Sequence, residues 1–206
     1  MKACMQPILY SYRRCPYAMR ARLAINVVNI AVEMREISLR DKPAHMLEVS
    51  PKGTVPVLIL QTGVVIEQSL DIMFWALQQC DPENWLNADF GKTQALITQN
   101  DTQFKQALDR YKYPERYPQF TQTHYREQGE VFLQRLEMLL NAHIYLLKDT
   151  TSLADMAIFP FIRQFAAVDL DWFETANYPK LKIWLNHLVN STLFERVMKK
   201  QPTYIA

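Results

Sequence analysis

Over the first 80 residues the spacing of apolar positions switches between a two-residue and a helical period. Short runs such as ILYSY and VPVLIL predict strands at about 7–12, 32–38, 56–60 and 64–67. Helical spacing predicts helices at about 16–29 and 69–80. Between VPVLIL and VVIE, the segment QTG supplies Gly63 for a tight hairpin turn. A strand-helix-strand order requires a right-handed parallel crossover, and the hairpin then adds antiparallel strands to the same sheet. Residues 1–80 therefore read as a small mixed α/β domain. Residues 81–88, DPENWLNA, hold turn-forming Asp81, Pro82 and Asn84 and read as a linker that Trp85 packs down. From 89 to 206 the period is mainly helical, without repeats or low-complexity segments. In VFLQRLEMLLNAHIYLL apolar residues at 132, 133, 136, 139, 140, 144 and 147 follow an amphipathic helix. Before it lies RYKYPERYPQF, where Pro114 and Pro118 stop helix propagation. Tyr111, Tyr113, Tyr117 and Phe120 crowd that stretch, which reads as a packed connector between helices, with a lid over an apolar substrate as the alternative. The expected architecture is α/β followed by all-α.

Composition narrows the function. With 206 residues, 49% of them hydrophobic, the chain buries a core without staples. Its three cysteines, Cys4, Cys15 and Cys80, match no zinc spacing, and an odd count argues against a secreted disulfide framework. Reduced thiols in a cytoplasmic setting are expected. His45, His124, His143 and His187 are scattered, so no metal is expected. The longest uncharged run, GTVPVLILQTGVVI at 53–66, is too short to span a bilayer, and no signal-peptide core opens the chain. A net charge of +2, with acids and bases interspersed, lacks the footprint of nucleic-acid or membrane binding. Small-molecule partners are the expectation.

The chemistry concentrates in RRCPYAM, residues 13–19. Pro16 suits the first position of a helix, which places Cys15 at the N-cap. Unpaired helix N–H groups, the positive end of the helix dipole and Arg13 and Arg14 then favour thiolate over thiol. Helix N-terminal cysteines of this kind have pKa values of roughly 3.5 to 7.5. Cys4 falls in a fraying terminus, and Cys80 falls at a helix end where the dipole has the wrong sign. Position 18 is alanine, so no C-x-x-C dithiol is present. A disulfide at Cys15 is therefore made with an external thiol.

CPYA after the first strand, SPKGTVPVL before the hairpin, EQSLDI opening a helix and TSLADMAIFPFIRQF in the helical half occur in one order and spacing. That set resembles the cytosolic glutathione S-transferase superfamily across nearly the whole chain. It is most similar to the cysteine-type members, namely the omega-like transferases and the bacterial two-domain glutaredoxin, which carries CPYC. The resemblance implies a thioredoxin-like N-terminal domain followed by an all-helical C-terminal domain, the glutathione transferase fold. It implies glutathione as co-substrate, with no metal. It also implies a cis Val55–Pro56 bond, although the local sequence alone favours trans. Val55 would then pair, strand fashion, with the cysteinyl backbone of glutathione.

Gln68 and Ser69 match the pair that receives the γ-glutamyl group, and Ser69 reads as the N-cap of its helix. Glu67 would attract the ligand's amino group, and Lys52, or else Lys42 or His45, would face the glycyl carboxylate. Several relatives place lysine directly before Val-Pro, where this chain has Thr54. Tyr12 alternates with Ile8 and Tyr10 and reads as sheet packing. Ser152 and Asp155 form a capping box, with Asp155 matching the family's buried structural aspartate. The activity implied is single-cysteine thiol transfer, that is, deglutathionylation of small-molecule or protein mixed disulfides together with dehydroascorbate reduction. The alternatives are conjugation of glutathione to electrophiles and a non-enzymatic protein-binding module of the same fold. Many relatives are homodimers, whereas the two-domain glutaredoxin is monomeric.

Overall fold

The computed structural model describes residues 6–205. Cys4 lies outside them. The chain divides into two compact units, Met1–Pro82 with Thr192–Ala206, and Glu83–Ser191.

In the first unit, β1 (Ile8–Ser11) leads into α1 (Pro16–Val28), and β2 (Glu33–Glu36) returns parallel to β1. β3 (Val57–Ile59) pairs antiparallel with β1, and β4 (Val65–Ile66) pairs antiparallel with β3 in the expected hairpin, giving the order β2-β1-β3-β4. Gly63 turns it at φ +84, a backbone conformation that glycine adopts without steric cost. α1 packs against α3 (Ser69–Gln79), and α10 (Thr192–Met198) packs against α1. The last helix thus joins the first unit, although the helical period alone assigns it to the second.

One further correction concerns α2 (Ala44–Val49), a helix the sequence pattern did not announce. Its single buried residue, Met46, joins Tyr10, Ala18, Ile37, Val55 and Val57 in a core cluster that borders Cys15. A helix this short draws its stability from such packing rather than from propensity.

The second unit contains α4 (Phe90–Gln99), a wider π-type stretch at Asn100–Phe104, α5 (Lys105–Lys112), α6 (Gln122–Ala142), α7 (Leu153–Ala166), α8 (Leu170–Thr175) and α9 (Pro179–Val189). Trp85 is fully buried, and its carbonyl accepts from Leu153 N–H at 2.9 Å. Pro114 opens a short 3-10 turn between α5 and α6, as the proline spacing requires. α6 stops at Ala142, so Ile144 and Leu147 lie beyond it despite their helical spacing. Past that point the buried residues are Tyr145 and Leu146.

The Phe165 ring, carried by α7, packs against Gly129 of α6. A Cβ there would overlap the ring of Phe165, which is itself fixed among Phe104, Tyr111 and Trp172. Gly129→Ala is expected to cost about 1–3 kcal/mol through overpacking. Calorimetry should show a lower Tm, and an unchanged Tm would mean that the Phe165 ring yields freely to the added methyl group.

Candidate active site

The first unit builds the candidate site around the N-terminus of α1. Cys15 is the N-cap, with φ −76 and ψ 122, and Pro16 takes the first helical position. Cys15 N–H donates to Tyr12 O at 3.0 Å, closing the turn between β1 and α1. The thiol is half-buried and lies 3.8 Å from Val55 O, toward which it donates. The Val55–Pro56 peptide is cis. The backbone ahead of β3 and the cysteine are thereby brought to one place.

A third arginine, beyond the flanking pair, adds positive charge to the cysteine's surroundings. The Arg14 guanidinium donates to Tyr12 Oη at 2.9 and 3.2 Å on the surface. Arg22, two helical turns into α1, is instead only 3% exposed. Its Nη2 donates to Arg13 O at 2.6 Å and its Nη1 lies 3.8 Å from Glu36 Oε2. Glu36 Oε1 in turn accepts from Arg13 N–H at 2.6 Å. Burial pulls the Arg22 guanidinium down to about 10, and the negative charges of Glu36 and of ionised Cys15 oppose that fall. The coupling is mutual, so Arg22 favours the thiolate.

Gln68, not Ser69, is the N-cap of α3, and Ser69 occupies the first helical position. Gln68 is the last extended residue, so the helix begins one residue earlier than an N-cap at Ser69 implies. Ser69 is 5% exposed, and its hydroxyl accepts from Arg20 Nη1 at 3.4 Å. Arg20 lies on α1, is fully buried, and stands 5.4 Å from the ring of Tyr17. α1 thus carries the cysteine at its cap and a cation beneath Ser69.

Glu67 and Lys52 are placed against each other. Lys52 Nζ donates to Glu67 O at 2.8 Å and lies 4.0 Å from its carboxylate, which also accepts from Ser50 Oγ. His45 Nδ1 is 2.9 Å from Tyr10 Oη. Cys80 is exposed at the C-cap of α3. No group of three or more His, Cys, Asp or Glu suited to a metal occurs among the described residues. No helix among them is long and apolar enough to cross a membrane.

Residues 9–84 match the glutathione S-transferase N-terminal domain, and residues 98–192 match the glutathione S-transferase C-terminal domain. The chain belongs to the glutathione S-transferase family. The transferase is 27% identical over 186 residues to glutathione S-transferase omega-1 of Mus musculus, a match covering 86% of this chain and 74% of that protein. It is 35% identical over 89 residues to a probable glutathione transferase of Aplysia californica, covering 43% of this chain and 90% of that one. In fold it is similar to a glutathione transferase from Phanerochaete chrysosporium solved in complex with oxidized glutathione. The TM-score is 0.79 at 17% identity, with 96% of each chain covered. The thioredoxin-like sheet and helical second half expected for the transferase are the architecture described above.

Proposed function

We propose that this transferase is a glutathione-dependent thiol transferase that uses Cys15 alone. Support comes above all from one geometry, a half-buried cysteine at a proline-started helix N-terminus, within 3.8 Å of the Val55 carbonyl and in the field of Arg22. The omega-class likeness over most of the chain points the same way.

In this reading glutathione lies with its cysteinyl backbone along Val55 ahead of Pro56. Its γ-glutamyl carboxylate meets Gln68, the Ser69 hydroxyl and the N–H groups that open α3. Buried Arg20 adds positive charge behind Ser69. Glu67 faces the ligand's amino group, with Ser50 donating to its carboxylate, and Lys52, which lies against Glu67, faces the glycyl carboxylate. The Cys15 thiolate attacks the glutathionyl sulfur of a mixed disulfide RS–SG. The S–S bond breaks, RS⁻ leaves and takes a proton, and Cys15 carries the glutathionyl group. The thiolate of a second glutathione attacks that sulfur, forming oxidised glutathione and returning the Cys15 thiolate. The sum is RSSG + GSH → RSH + GSSG. Such chemistry fits a reducing compartment such as the cytoplasm.

The deciding experiment is an activity panel that compares a glutathione mixed disulfide, dehydroascorbate and an aryl halide. Reduction of the first two with little conjugation of the third is expected. Conjugation alone would overturn the thiol-transfer reading, and silence on all three would favour a binding module.

Ser69→Ala tests the ligand's placement. Removing the hydroxyl should weaken glutathione binding by roughly 1–3 kcal/mol, the cost of leaving a buried polar partner unmet. An unchanged affinity by titration calorimetry would remove Ser69 from the site.

A further inference from the structure

The last residues of the chain do more than end it. β2 is the edge strand of the sheet, and Thr203 forms a parallel bridge with its final residue, Glu36. Tyr204 N–H donates to Glu36 O at 2.7 Å. The Tyr204 ring lies under the Arg35 guanidinium at 4.6 Å and meets the ring of Tyr10 edge-on at 6.2 Å. It packs against the core cluster of Tyr10, Ala18 and Val55 that also borders Cys15.

From Glu36 the connection to the cysteine is short. The Glu36 carboxylate takes Arg13 N–H and pairs with Arg22, and Arg22 takes Arg13 O. The Arg13 residue, two positions before Cys15, is thus gripped at both its N–H and its C=O by side chains that Glu36 organises. A second route runs from Tyr204 through Arg35, whose Nη1 donates to Tyr10 Oη at 2.7 Å.

We propose that Thr203 and Tyr204 act as a latch on the edge of β2 that positions Glu36 and Arg22, and through them holds the Cys15 turn in its reactive form. An unpaired edge strand moves more freely than a paired one, and Glu36 is the point where β2 passes that turn. With the latch open, Arg22 loses its fixed carboxylate partner and its place beside the thiolate. Tyr204 is a positioning residue here, since nothing in this arrangement brings it to the reacting sulfur. For its catalytic consequence the inference rests on Cys15 being the nucleophile, but its test does not.

The test measures iodoacetamide alkylation of Cys15 against pH, followed by mass spectrometry of the Cys15 peptide, with no glutathione present. The variants are a chain ending at Pro202 and the full chain carrying Tyr204→Ala or Tyr204→Phe. In the shortened chain and in Tyr204→Ala the midpoint should rise. At pH values well below the midpoint the rate should fall about threefold, the change in thiolate fraction there for about half a pKa unit. Tyr204→Phe keeps the ring under Arg35 and should restore the wild-type profile. Profiles that overlay the wild type in both disrupted chains would overturn the latch and leave the tail as an edge cover. A rate raised at every pH with an unmoved midpoint would also overturn it, since the tail would then be a lid. A latch that passes in a protein without thiol-transfer activity would sink the function and spare the inference.

Discussion

Replacing Cys15 by serine is expected to abolish thiol transfer, by at least about a thousandfold, while leaving the fold intact. A serine hydroxyl is barely ionised near neutral pH and forms no disulfide, so both half-reactions lose their central sulfur. Stability should not suffer, because serine is among the preferred N-cap residues and the side chain at this position is only half-buried. Glutathione affinity should also persist, since the contacts assigned to Val55, Gln68 and Ser69 remain. Conjugation to an aryl halide is the informative companion assay. A hydroxyl at the helix N-terminus can donate to the glutathione thiolate without trapping it, so conjugation should survive or rise as thiol transfer disappears. Thiol transfer that survived in the variant would exclude Cys15 as nucleophile. The exposed Cys80, at the C-terminal end of α3, would then be removed next.

What could be read from the chain depended on how local the determining physics was. The Cys15 cap was legible because an N-cap followed by proline is decided within three residues. The hairpin at Gly63 and the capping box at Ser152 were legible for the same reason. Arg20 and Arg22 were not. Both are buried, and their partners Ser69 and Glu36 are far away in sequence. Lys52 and Glu67 could be named as ligand-facing charges, but that they lie against each other follows only from the turn after α2 and the end of β4. The one-residue offset at Ser69 has a simple cause. Serine's capping preference is a tendency, and here the extended conformation at Gln68 sets where the helix starts. The apolar spacing of α6 continues past Ala142, yet the helix ends there. His143 takes φ −141 and ψ 161, and that backbone ends the helix. The C-terminal bridge to Glu36 is too short for any periodicity to announce.

Asp155→Ala should be the most destabilising of the single changes considered. The carboxylate is fully buried and takes four hydrogen bonds. Oδ1 accepts from Leu146 N–H at 2.9 Å and Trp184 Nε1 at 2.8 Å, and Oδ2 accepts from Ser152 N–H at 2.9 Å and Ser152 Oγ at 2.5 Å. It therefore ties the stretch after α6 and the first turn of α7 to α9. Alanine leaves three N–H donors without their acceptor, each worth about 1–3 kcal/mol, and the losses are not fully additive. A total of about 4 kcal/mol lowers Tm by roughly 8–16 °C for a chain of this size. Asp155→Asn keeps one acceptor oxygen but turns an amide nitrogen toward the other donors, so its loss should be smaller. The pH dependence adds a sharper test. Burial pushes the Asp155 carboxyl above its ordinary range, and the four donors pull against that rise. With the folded pKa above the unfolded one, the stabilisation tied to this group is full in acid, below the unfolded pKa. It declines as pH rises through the shifted value. The stability gap between wild type and Asp155→Ala should accordingly narrow from acid toward neutral pH in denaturant titrations. A gap that widens instead would mean that the donors outweigh the burial and that the carboxylate is held ionised inside the helical unit.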